Sequence, residues 1–217
     1  MKSKTYSFWT LITYGLVLVA PVFFVQFIHI NANQNIQLAT IAFIIGAMLL
    51  LTYLKKSQPL ALEQKQLSTG KAIAWGLAGI PLSLTLQLLI LQIEQQFFGQ
   101  QGASANTQNI VSLIQENMIF ILATTIAGPI MEELVFRRAI FGTLQQRFGF
   151  IVPALLSSAL FSLAHNDGHY LLYGGLGIFF CWLYQHTGKI WTSMLTHVGM
   201  NLLVVMTQLA VHANLPR

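Results

Sequence analysis

FWTLITYGLVLVAPVFFVQFIHI, residues 8–30, holds no Asp, Glu, Lys or Arg in 23 positions. A helix needs roughly 20 apolar residues to cross the hydrocarbon core of a bilayer, and this run supplies them. Lys2 and Lys4 stand before it, as basic residues stand before a secretory signal core. A signal core is shorter, about 7–15 residues, and small residues of a cleavage site follow it. The run is therefore read as a membrane anchor. Six more apolar runs succeed it, at 36–54, 72–93, 110–128, 150–165, 170–185 and 190–211, the fifth and sixth of the seven being short. Only 8% of residues are charged and mean hydropathy is +0.64, against about 25% charged in soluble domains. A soluble bundle with so little charged surface would not stay dissolved. The expected fold is an all-α, polytopic transmembrane bundle of about seven spans.

The cations give the orientation. Lys2, Lys4, Lys55, Lys56, Lys65, Lys71, Arg137, Arg138, Arg147 and Lys189 fall on one side of the alternating segments, and Arg217 on the other. Short cytoplasmic loops carry the excess of Lys and Arg, so the N-terminus is expected inside and the C-terminus outside. The net charge of +5 then has a topological origin and does not imply nucleic acid. The bilayer is the expected partner, and the expected location is a bacterial plasma membrane. Residues 1–109 hold three spans and two polar connections, and residues 110–211 hold four spans, all in one membrane domain. The connection 55–71 reads as basic and cytoplasmic. The connection 94–109, rich in Gln, Asn, Gly and Ser, reads as a flexible external loop. The one cysteine, Cys181, cannot form an intrachain disulfide and reads as a small core residue. No internal repeat suggests the inverted halves of a transporter.

The chemistry gathers after residue 128. Of six acids, Glu63, Glu94, Glu116 and Asp167 sit in loops or near span ends and read as solvated side chains. Glu132 and Glu133 lie in GPIMEELVFRRAIF (128–141), amid apolar residues. An ionisable group inside a membrane is costly and usually faces a partner or a wet cavity. Glu133 and Arg137 are four apart on a helix, in the favourable order for an ion pair, which leaves Glu132 free. His165 follows Phe161 by one turn in FSLAH, and Asn201 follows His197 by one turn in HVGMN. Two polar groups stacked that way can hold one oxygen between them. His29, His186 and His212 read as satisfied or interfacial, Asp167 and His169 as part of a polar external turn, and Trp182 and Trp191 as interface anchors. With a break at Gly128-Pro129 and a hairpin near 148–150, Glu132 and His165 lie about 22 Å along adjacent helices. They are thus level, whereas His197 is only about 12 Å along its own.

Taken together, EELVFR, FSLAH and HVGMN resemble the CAAX protease and bacteriocin-processing (CPBP, or Abi) family of polytopic membrane proteins. Its pattern is EExxxR, FxxxH and HxxxN or HxxxD, in that order. It is met here by Glu132, Glu133 and Arg137, by Phe161 and His165, and by His197 and Asn201, across about residues 110–211. The resemblance implies an intramembrane endopeptidase acting on a peptide or membrane-protein substrate. Glu132 and His165 would activate water, His197 and Asn201 would stabilise the oxyanion, and Glu133 with Arg137 would brace the helix. It leaves two chemistries open. One is a glutamate mechanism without a cofactor, the expectation adopted; the other is zinc held by Glu132, His165 and His197, although no HExxH is present. A non-catalytic bacteriocin-immunity or scaffold protein that keeps the cavity is the alternative function. Oligomeric state has no signature in the sequence.

Overall fold

Backbone buried in hydrocarbon must satisfy its polar groups internally, and in this chain it does so as helix. The computed structural model describes residues 1–99 and 104–213, and no strand occurs among them. In chain order the helices are α1 (Ser3–Ile28), α2 (Ala32–Lys56), α3 (Thr69–Phe98), α4 (Ala105–Glu116) and α5 (residues 120–148). They continue with α6 (Ile151–His165), α7 (Tyr170–Thr187) and α8 (Ile190–Ala213). The protein is a polytopic all-α bundle. Four helices, α1, α2, α3 and α8 over Ile190–Val211, are long and apolar enough to cross a membrane; α6 is apolar and 15 residues long. The side chain of His212, Arg217, and residues 100–103 of the Gln-rich connection lie outside the described residues.

Two boundaries differ from the sequence expectation. The run 110–128 is not one helix. Asn117 leaves helical geometry at φ −151°. Its side chain accepts from the Ile119 N–H at 3.2 Å and donates to Asn33 at 2.9 Å. A short amide that bonds its own backbone two residues on competes with helix at a turn, and a count of apolar residues does not register it. Nor does the chain break at Gly128-Pro129. Ala123–Ala127 forms a π-helical turn, and Pro129 stands in the first turn of the segment after it. There a missing N–H costs little, so α5 runs on. A second π-helical stretch, Glu133–Gly142, carries the charged motif; widened turns of this kind concentrate at functional sites. The described parts of the connection 94–109 are largely helical where a loop was expected, since α3 extends to Phe98 and α4 begins at Ala105.

α5 is the central helix, packed against α1, α2, α6 and α8. Met131, Glu133, Leu134, Arg137 and Phe141 along it are all 0% exposed. α3 and α8 approach closely: Thr196 Oγ1 donates to the Gly76 carbonyl at 2.8 Å, and a Cβ on Gly76 would lie 2.7 Å from the Leu195 side chain. Small residues allow such backbone proximity where apolar surface gains nothing over lipid. The cationic segments converge at one end. The Met1 amine donates to the Lys56 carbonyl at 2.5 Å, and the Leu67 N–H donates to the Thr187 carbonyl at 3.0 Å. Trp182 stacks on His186 at 5.3 Å, and Lys189 lies 5.8 Å from the Trp191 ring, at this same end. Cys181 is free and buried.

Glu63 corrects the sequence reading. It is not a solvated loop acid. Arg138 donates to both its oxygens, Nε at 2.8 Å and Nη2 at 3.0 Å. The Tyr184 hydroxyl donates to it at 2.7 Å and the Leu60 N–H at 2.8 Å. This forked pair ties the segment after α2 to α5 and α7. Removing one partner of a buried pair strands the other and costs about 3 kcal/mol. Glu63→Gln is expected to lower the melting temperature in detergent by roughly 5–10 °C; an unchanged melting curve would show the clamp to be dispensable.

Candidate active site

Three helices bring the motif residues together. α5 supplies Glu132, Glu133 and Arg137, α6 supplies Phe161 and His165, and α8 supplies His197 and Asn201. Phe161, His165, His197 and Asn201 line one cavity of about 220 Å³, joined by Tyr173 of α7 and by Ser104, Asn106 and Thr107 at the start of α4. Glu132 is not part of that lining. It stands beside His197, with Oε2 3.7 Å from His197 Nε2.

Glu133 is bound on two sides. Its Oε1 lies 3.5 Å from Arg137 Nε and accepts from His197 Nδ1 at 3.0 Å. The predicted Glu133–Arg137 pair is present, and the carboxylate also orients the imidazole. A carboxylate on one ring nitrogen fixes the tautomer and leaves the other nitrogen to act. Arg137, 0% exposed, is enclosed by rings, its guanidinium 4.4 Å from the centre of Phe161 and 5.6 Å from that of Phe180. Phe161 and Phe180 also flank His197, at 6.0 and 4.7 Å between ring centres.

His165 is held differently. Its Nδ1 lies 2.8 Å from the Phe161 carbonyl. A carbonyl only accepts, so Nδ1 carries the proton and Nε2 presents a lone pair. Glu132 and His165 share no direct ion pair; the imidazole closest to Glu132 is that of His197. The residue count left His197 short of Glu132 along its own helix, and the structure brings these two side chains together. The residue count assumed straight, parallel α-helices. In fact α5 passes through two π-helical stretches and packs against α8 along both. The zinc alternative meets the same geometry: among the described residues no three His, Cys, Asp or Glu side chains converge as a metal site.

Residues 114–203 match the family model for type II CAAX prenyl endopeptidases, Rce1-like. The putative membrane peptidase YdiL of Bacillus subtilis is 40% identical over 143 residues, 65% of this chain and 59% of that protein. The membrane-embedded CAAX protease MroQ of Staphylococcus aureus is 32% identical over 204 residues, covering 89% of this chain and 83% of that one. The chain belongs to the CAAX protease family. No solved structure matches it significantly. All seven motif residues of this CPBP member fall inside the matched segment, and it is an integral membrane protein like the relatives named.

Around the family motifs stand residues that the sequence reading left in solvent. Glu94 is 2% exposed. One of its oxygens lies 2.6 Å from His169 Nδ1, and the other accepts from the Leu171 and Leu172 N–H groups at 3.0 and 3.1 Å. It caps the start of α7, where a helix offers unpaired N–H groups. Asp167 accepts from Ser104, from Tyr173 at 3.0 Å and from the His169 N–H at 3.2 Å. Partial burial pushes its carboxyl up, but these hydrogen bonds prevail and hold it below the usual carboxylate value. The spacing of Asp167, two residues from both His165 and His169 in HNDGH, carried no such information. Glu116, exposed at the end of α4, is solvated as expected, and Asp167, half-buried, stands in the expected turn.

Proposed function

We propose that the protein is an intramembrane endopeptidase that hydrolyses a peptide bond with a water activated by Glu132. The observation that supports this best is His197, buried at the cavity wall between two carboxylates of α5, with Nδ1 bound to Glu133 and Nε2 facing Glu132. A water within about 2.8 Å of both Glu132 and His197 Nε2 would bridge a contact too long for a direct hydrogen bond. Glu132 takes the proton of that water as its oxygen attacks the substrate carbonyl. His165, which lines the same cavity, offers its Nε2 lone pair to orient the water. The oxyanion that forms takes a hydrogen bond from the Asn201 side-chain amide, and one from His197 Nε2 when both ring nitrogens of His197 carry protons, and the proton on Glu132 passes to the leaving nitrogen. Glu133 and Arg137 keep His197 in place. Donors aimed at developing charge in a water-poor site supply about 3–4 kcal/mol each.

The substrate is an uncharged stretch of extended peptide. No Asp, Glu, Lys or Arg lines the cavity among the described residues, whereas Gln87, Asn106 and Gln208 offer amides between Leu, Ile, Val and Met side chains. A charge brought there would be desolvated without a partner. The protein acts from a bacterial plasma membrane with its lysine-rich end inside, and it needs no metal. The test is purified protein with a peptide library, run with and without a strong chelator. Cleavage between uncharged residues, unaffected by chelation, is expected. Loss of activity restored by zinc would overturn the metal-free chemistry, and failure to cleave any peptide would overturn the reading itself.

A further inference from the structure

His165 is the last residue of α6. Asn166 turns left-handed at φ 45°, so the chain departs at once and no further helical turn supports the ring. The Phe161 carbonyl accepts a hydrogen bond from its Nδ1, and the Phe161 ring meets it edge-on at 4.5 Å. On the other side lies Tyr173, stacked on the imidazole at 3.8 Å between centres and 23° between planes. Tyr173 belongs to no family motif quoted above. Its hydroxyl is fixed at both neighbours: it donates to Asp167 at 3.0 Å and lies 2.9 Å from Ser104 Oγ. Ser104 itself donates to Asp167 and accepts from the Thr107 N–H at 3.2 Å, capping α4. The backbone under Tyr173 is pinned as well, because Glu94 caps the start of α7 and binds His169.

We infer that Tyr173, anchored by Asp167 and Ser104, is the positioning residue of His165, and that the anchor also fastens α4 along the cavity that α4 helps to line. The inference rests on the protease reading for its catalytic meaning. Physically, a stacked ring that cannot swing leaves the imidazole a single orientation, with Nε2 toward the cavity. A ring freed by even about 1 Å can cost on the order of 100-fold in rate. The stack supplies position; the hydroxyl bonds supply rigidity. Tyr173→Phe therefore keeps part of the effect, and Tyr173→Leu loses it.

The experiment uses full-length protein in detergent and two readouts. On the best-cleaved peptide, kcat should fall about 100-fold in Y173L and about 10-fold in Y173F and in D167N, with KM within about twofold. In parallel, diethyl pyrocarbonate labelling of His165, read by peptide mass, should become several-fold faster in Y173L and D167N. Labelling of exposed His186 serves as the reference and should not change. D167N leaves the apolar packing intact, so it carries the test if Y173L does not fold. Unchanged kcat with unchanged His165 labelling overturns the inference, and so does a loss confined to KM, which would make Tyr173 a substrate contact. If the wild type cleaves no peptide, the protease reading fails, while the labelling rates still decide whether Tyr173 holds His165.

Discussion

Glu132→Gln (E132Q) is expected to lower kcat by about three orders of magnitude while leaving the protein inserted and folded. General-base catalysis contributes about 10²–10⁴-fold, and an amide cannot take the proton of the attacking water. The substitution is nearly isosteric. Glu132 is also the one motif carboxylate that still has solvent access, its side chain 19% exposed against 0% for Glu133. No buried partner is stranded by the change, so melting in detergent should stay within about 2 °C of wild type, a shift of less than about 1 kcal/mol. Retained cleavage in E132Q would remove Glu132 from the mechanism, whatever the rest of the site does.

Glu133→Gln is expected to do the reverse, acting first on stability. Glu133 and Arg137 are both 0% exposed, and Arg137 sits among the rings of Phe161, Phe180 and Phe136. Neutralising the carboxylate leaves a guanidinium buried without its counter-charge, at a cost of about 3–5 kcal/mol. It also weakens the bond that holds His197 at Nδ1. A large fall in melting temperature is expected, together with loss of cleavage in whatever fraction folds. The double variant Glu133→Leu with Arg137→Met separates the two effects. Replacing both charges with apolar side chains of similar volume is often close to neutral for stability, but His197 is left without its carboxylate. Stability should return and activity should not. If the double variant cleaves normally, Glu133 only balances charge and does not orient the histidine.

The two single variants differ because adjacent glutamates meet different neighbours, and only one of those neighbours was visible in sequence. The spacing of Glu133 and Arg137 on one helix announced their pairing. The hydrogen bond of Glu133 to His197 on α8 spans 64 residues and leaves no periodic trace. Glu63 and Arg138 are 75 apart, as are Glu94 and His169. In a linear reading these acids looked like loop residues, since loops are where apolar patterning stops. Burial of a loop carboxylate depends on which helix end arrives beside it. The approach of His197 to Glu132 was not legible for a similar reason. Helix rise converts sequence distance to length only along a straight axis, and α5 bends that rule through its π-helical turns.

The amino-acid sequence by itself determined the all-helical membrane bundle and the charged helix, and its resemblance to a known family joined Glu132, His165, His197 and Asn201 in one motif set. The helical properties reside in hydropathy and in spacings of three to four residues, which are local and survive without a fold. Only the tertiary structure decided that His197 lies between two carboxylates, that Tyr173 stacks on His165, and that Ser104, Asp167 and Glu94 build the wall beside it. Each of those is a meeting of side chains from separate helices. Its distance is set by how the helices cross and where they end, quantities that no single segment of the chain contains.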